Sequence, residues 1–319
     1  MNETNNMTIG PGKYDYISLW FGISITSNIL GIICNGICIF ILINNDVLRH
    51  KPTYQILFQI FISDFLISLL FTSFRNIQIY YFLTKRLLVG NDFLCIFESI
   101  IYNSLYSMSN FCQFLCASSR FVAVFQPVLF RNAHINKIVF GFQFVVSFLW
   151  PTIFYCASCN SILTYSIDQS LGDCKEEENS EVTRYFRRLL FITLPIYAAF
   201  IFYVIILCKF IFHHHDNLHH LWVEIHSILA TLFFTAVFCA LITPVWITPL
   251  NTQISDYVSR SLWYKFMFRV CHTLNPIFFL ALDPNIRMAA HLLYVHIHQR
   301  INSNYVGPLN LIHSIHRKE

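Results

Sequence analysis

Apolar residues run along this chain in stretches much longer than a strand. A helix needs about 20 mostly apolar residues to cross a hydrocarbon core about 30 Å thick. Seven segments meet that length: Ile17–Ile43, Tyr54–Ile79, Cys95–Phe125, Ile138–Thr164, Leu189–Phe212, Ile225–Leu250 and Leu262–Leu282. Between them lie the turn and charge signals, such as Asn44-Asn45-Asp46, Thr84-Lys85-Arg86 and the run from Asp173 to Glu181. The pattern predicts an all-α membrane protein built as a seven-transmembrane helix bundle. The first span begins too late and runs too long for a cleaved signal peptide. There is no internal repeat and no inverted pair of broken helices.

Composition sharpens this. Of 319 residues, 55% are apolar, 17% aromatic and only 12% charged, with 33 phenylalanines. A soluble domain carries about 25% charge and must wet much of its surface, so a soluble enzyme, a disordered chain and a nucleic-acid binder are all excluded. The partner implied by composition is the lipid bilayer. The net charge of +4 is too small to call for a polyanion. With the N-terminus outside, ten Lys/Arg fall on the cytoplasmic side and eleven outside, so the positive-inside rule is indifferent. Two other signals favour an exterior N-terminus. Asn2-Glu3-Thr4 and Asn6-Met7-Thr8 are glycosylation acceptors, which are modified only on the lumenal side. Cys95 opens the third span and Cys174 lies in the polar loop after the fourth, so span order puts both on the N-terminal face, where an oxidising exterior lets them bridge. The expected organisation is an extracellular segment 1–16, a membrane domain 17–298 and a cytoplasmic tail 299–319, placed in the plasma membrane.

Polar side chains inside spans are costly and face a partner or water. Asn35 lies in the first span, Asp64 in the second, Ser109 and Asn110 in the third, and Asn275 precedes Pro276 in the seventh. A shared pocket of Asn35, Asp64, Ser109 and Asn275 would be oxygen-rich, suited to water or a hard cation such as a sodium ion at Asp64; the alternative is separate helix-to-helix hydrogen bonds. Pro195, Pro244 and Pro276 lie inside spans and predict kinks. No other cofactor or metal is implied.

Together these positions resemble the landmarks of the rhodopsin-like G-protein-coupled receptors. Gly31 to Asn35 matches the first-span pattern, Asp64 the second-span acid, and the 25-residue interval from Cys95 to Arg120 the third span. Pro127, Trp150, Pro195 with Tyr203, Phe238 with Pro244, and Asn275-Pro276-Ile277-Phe278-Phe279 continue the series, and Pro284 to His298 fits an amphipathic eighth helix. Three positions depart from the pattern. Ser119 replaces the acid before Arg120, Ile242 replaces a Trp, and Phe279 replaces a Tyr. The segment from Ser119 to Pro127 and the wealth of phenylalanine look most like nematode serpentine chemoreceptors.

The resemblance implies a receptor that binds an extracellular ligand and activates a heterotrimeric G protein by outward movement of the sixth helix. It makes Cys95–Cys174 a disulfide and Arg120, Glu224, Tyr203, Phe238, Pro244, Asn275, Pro276 and Phe279 the switch, with an Arg120–Glu224 pair holding the inactive state. Glu224 has an alternative role as a solvated acid at a helix start. Ligand contacts are expected at Tyr102, Asn103, Tyr106, Arg187, Trp246, Lys265 and Arg269. The basic members attract an anion, unless Glu176, Glu177 and Glu178 neutralise them. A small-molecule cue is favoured over a peptide, and no catalytic residue is expected. Two other classes compete. His213-His214-His215-Asp216-Asn217-Leu218-His219-His220 resembles one box of the membrane di-iron desaturases, but His291, His296, His298, His313 and His316 do not repeat it. A transporter would need more intramembrane charge than Asp64.

Overall fold

The computed structural model describes residues 11–70, 92–130, 141–142, 144–158, 163–168, 173–178, 186–187, 189–213, 228–229, 231–233, 235–237, 239–240 and 270–302. The first span is a helix from Pro11 to Asn44. Asn45 stops it and starts the next element: its Oδ1 accepts the Leu48 N–H at 3.0 Å, capping a single turn, Asp46–Arg49. Pro52 opens the second span, Pro52–Leu70, at the one helical position where a missing N–H costs nothing. The third span is Asp92–Phe125, followed by the short turn Pro127–Phe130. The seventh span holds the apolar helix Val270–Leu282, and the eighth helix runs Pro284–Asn302. Among the described residues, Gly22–Asn44, Pro52–Leu70 and Leu189–Phe212 are long and apolar enough to cross a membrane.

The faces are sorted by size and polarity rather than by hydrophobicity. In the first span Ser24, Asn28, Asn35 and Cys38 are buried, while Ile29, Ile33, Ile37 and Phe40 are exposed. Both stripes follow helical spacing, with the polar one inside. Lipid solvates isoleucine well, so small and hydrogen-bonding residues are left to hold helices together. Gly31 shows how close the approach is. A Cβ there would stand 2.6 Å from Ser68 Oγ and 3.1 Å from Thr273 Oγ1, at the meeting of the first, second and seventh spans. The third span is enclosed, and it buries Ser104, Ser107, Ser109, Asn110 and Gln113.

Spans four and five share a device. Each has a π-helical turn, Val145–Leu149 and Leu189–Thr193, ending two residues before its proline, Pro151 and Pro195. Widening the turn relieves the clash between the proline ring and the carbonyl four residues back. The expected fourth span overreaches its C-terminal end. Its helix is described as Trp150–Ser158, and Leu163–Asp168 is a strand paired antiparallel with Asp173–Glu178. Thr164 therefore belongs to a strand, in which Leu163, Tyr165 and Ile167 alternate with Thr164, Ser166 and Asp168 at the two-residue period of an extended chain. The hairpin places Cys174 opposite Ile167.

Candidate functional site

The centre of the bundle is built on Asp64, fully buried in the second span. Ser109 Oγ donates to its Oδ1 at 2.9 Å, and Asn275 Nδ2 donates to its Oδ2 at 2.8 Å. His272 Nδ1 meets Oδ1 at 2.7 Å. Against a carboxylate, which only accepts, the hydrogen of this bond sits on Nδ1. Three expected members of the pocket, Asp64, Ser109 and Asn275, are thus brought into direct contact. Asn35 stands one step away. Its Nδ2 bonds the Gly31 carbonyl at 2.9 Å and the His272 carbonyl at 3.4 Å. His272 was not anticipated, although an ionisable residue three positions before Asn275 shares its helix face.

Asn35 and Asn110 do a second job. Proline removes the N–H that would serve the carbonyl four residues earlier. Pro276 thereby frees the His272 carbonyl, and Asn35 reaches it from the first span. Pro195 frees the Phe191 carbonyl, and Asn110 Nδ2 donates to it at 3.2 Å from the third span. Each kink is therefore satisfied by an amide on another helix, as the absence of water in hydrocarbon requires.

At the opposite end of the third span, Arg120 Nη1 donates to Thr231 Oγ1 at 3.0 Å. The Thr231 hydroxyl donates in turn to the Ile228 carbonyl at 2.9 Å, leaving a lone pair for the guanidinium. Arg120 also lies 5.9 Å from the centre of the buried Tyr203 ring. The third span is thus tied to both the fifth and the sixth. Lys209 strengthens the link to the fifth: its Nζ donates to the Val124 carbonyl at 2.8 Å and sits 4.1 Å from the Phe125 ring. A cation at those last carbonyls complements the helix dipole. Phe279 packs edge-on against Phe61 at 5.6 Å, so the missing hydroxyl leaves a purely apolar contact. Glu224, Phe238 and Pro244 lie outside the described residues.

Towards the third span's N-terminal half, Tyr102 stacks on Tyr106 at 6.3 Å, and Tyr106 meets His272 edge-on at 5.7 Å. Two expected ligand contacts are thereby joined through His272 to Asp64. The Asn103 carbonyl accepts from Ser107 Oγ at 2.8 Å. Arg187 is not on an open rim. It is 9% exposed, with Nη1 3.5 Å from the Tyr155 hydroxyl and its guanidinium 5.7 Å from that ring. An aromatic face on the fourth span attracts the cation inward. Trp246, Lys265, Arg269, Asn2 and Asn6 lie outside the described residues, as do the side chains of Cys95 and Cys174.

Asp283 was also missed. Its Oδ1 accepts the N–H groups of Asn285 at 2.9 Å and Ile286 at 3.1 Å, capping the eighth helix. The Tyr54 hydroxyl donates to the same carboxylate at 3.2 Å, locking the second span to that cap. An Asp directly before a Pro at a helix start is the signal that could have found it.

No family model matches the sequence, and no curated protein matches it. Among solved structures, squid rhodopsin has 15% sequence identity and a TM-score of 0.71, over 91% of this chain and 87% of that one. The chain has the rhodopsin-like fold of a multi-pass helical membrane protein.

Proposed function

We propose that the chain is a G-protein-coupled receptor of the plasma membrane, with its N-terminus outside, that senses an extracellular small molecule. The observation that carries this is the contact of Arg120 with Thr231 on a rhodopsin-like fold. An arginine near the end of a central helix, held by a neighbouring span, is a clasp whose release lets that span move. Signalling of this kind needs two packings of the same helices, one of them favoured by ligand. The route inward is supported by the series Tyr102, Tyr106, His272 and Asp64, each in contact with the next. A ligand pressing on the tyrosines would shift the polar core, and the core would shift the seventh span. Outward movement of the sixth span about Pro244 would then expose Arg120 to a heterotrimeric G protein.

Glu224 lies seven residues before Thr231 in the sequence. We read the pair as successive holds on Arg120, with Thr231 the inner one. Cys95–Cys174 as a disulfide, glycans on Asn2 and Asn6, and a ligand contact at Trp246 belong to the same proposal. The likeness to nematode chemoreceptors in Ser119 to Pro127 supports a chemosensory cue, for which the aromatic contacts Tyr102 and Tyr106 suit a small ligand better than a peptide.

The test is basal nucleotide exchange on a panel of G proteins, in membranes with matched receptor amounts. Thr231→Val keeps the side chain's shape and removes the acceptor. A coupling of about 1–3 kcal/mol corresponds to a change of about fivefold or more, so exchange should rise by at least that factor. Arg120→Ala should abolish it, and Glu224→Gln should raise it less than Thr231→Val. Equal exchange by wild type and Thr231→Val on every G protein would sink the clasp.

A further inference from the structure

The polar core contains a group that alters what it binds. A buried carboxylate needs compensation, since an uncompensated charge in the interior costs several kcal/mol. A hard cation would supply it by collecting several oxygens around itself, and it accepts no N–H among its ligands. The oxygens are present: Asp64, Ser109, Asn275 and the buried Asn35 Oδ1, which has no hydrogen-bond partner among the described residues. The space on Oδ1 is taken. His272 Nδ1 stands 2.7 Å from it, Ser109 Oγ occupies its other lone pair at 2.9 Å, and Oδ2 is engaged by Asn275. His272 is itself only 3% exposed, and Tyr106 closes over its ring edge-on. The donor set therefore does not fit a sodium ion at Asp64.

We propose that His272 is a built-in counter-group to Asp64, filling with the chain's own imidazole the position a diffusible cation would need. The core is then indifferent to sodium, and the second and seventh spans are joined by a bond that salt cannot exchange. A corollary gives the proposal its sharpest consequence. Cutting the imidazole back to a small side chain leaves a carboxylate, a hydroxyl and the Asn35 and Asn275 amides around a vacated volume, which is the composition of a cation site. His272→Ser should create sodium binding where the natural chain has none.

The experiment is thermal unfolding of the purified full chain in lipid nanodiscs, in sodium chloride and in choline chloride at equal ionic strength. It reads binding as stabilisation and needs no ligand and no G protein, so its outcome is independent of the receptor reading. Wild type should melt at the same temperature in both salts. His272→Ser should melt several degrees higher in sodium, and Asp64→Asn in that background should erase the difference. A sodium-specific rise in wild type that Asp64→Asn removes would overturn the proposal, and so would a folded His272→Ser indifferent to sodium. If His272→Ser does not fold, His272→Asn takes its place. If neither folds, the wild-type comparison decides: a sodium-specific rise overturns the proposal and its absence upholds it.

Discussion

Asn110 is fully buried in the third span, where its amide answers a carbonyl that Pro195 has deprived of a partner. Leaving that carbonyl unmet in a low-dielectric interior costs about 1–3 kcal/mol. Asn110→Leu should therefore lower the melting temperature of the purified chain. The same substitution in a Pro195→Ala background should cost less, because residue 195 regains the N–H that serves Phe191. The difference between the two costs, measured in a double-mutant cycle, should be about 1 kcal/mol; additive costs would show that the amide does not act through that carbonyl. Asp64, Ser109 and Asn275 were legible as a cluster because polar residues stand out against apolar spans. His272 was not, since the sequence holds 14 histidines and the densest group of them is the run at 213–220. Its pairing with Asp64 depends on the rotation of the seventh span against the second, which no local pattern reveals.

At the scale of elements, Pro195, Pro244 and Pro276 announced kinks, and the structure adds how the one at Pro195 is accommodated, by a device that Pro151 shares. A π turn precedes Pro151 and Pro195 at the same offset, a feature set by ring sterics that sequence spacing does not display. The eighth helix was legible from Pro284 onward, and its cap explains why it begins there. Asp283 binds two backbone N–H groups and the Tyr54 hydroxyl, so it holds both the helix and its orientation. Asp283→Ala should destabilise the eighth helix by about 1–2 kcal/mol, read as faster amide exchange in residues 284–290 and little change in the first span. Tyr54→Phe should loosen the docking without removing the cap, giving a smaller effect. Equal protection in Asp283→Ala and wild type would show that packing of the buried Ile286 and Ala289 alone holds the helix.

For the whole molecule, the number and order of spans followed from hydrophobic length, because a bilayer fixes how long a spanning helix must be. Which face of each helix turns inward was not legible from hydrophobicity. Ile33 and Phe40 face outward while Asn28 and Asn35 are buried, the reverse of a soluble bundle. The hairpin after the fourth span escaped because the apolar residues of its first strand, Leu163–Asp168, continue the run of the span before it, and a six-residue strand shows its alternation only briefly. The three described core clusters meet around the third span, and the one toward its C-terminal end joins it to the fifth and sixth through Ala117, Tyr203, Ile206 and Ile228. That cluster has to open if the sixth span is to move. Nitroxide labels on Val47 and Leu229, both exposed, would follow it by distance distributions, in a background lacking the exposed Cys156 and Cys208. The account predicts one short distance in the wild type, with a longer population appearing both in Thr231→Val and on addition of nucleotide-free heterotrimeric G protein. A single unchanged distribution across all three samples would contradict it.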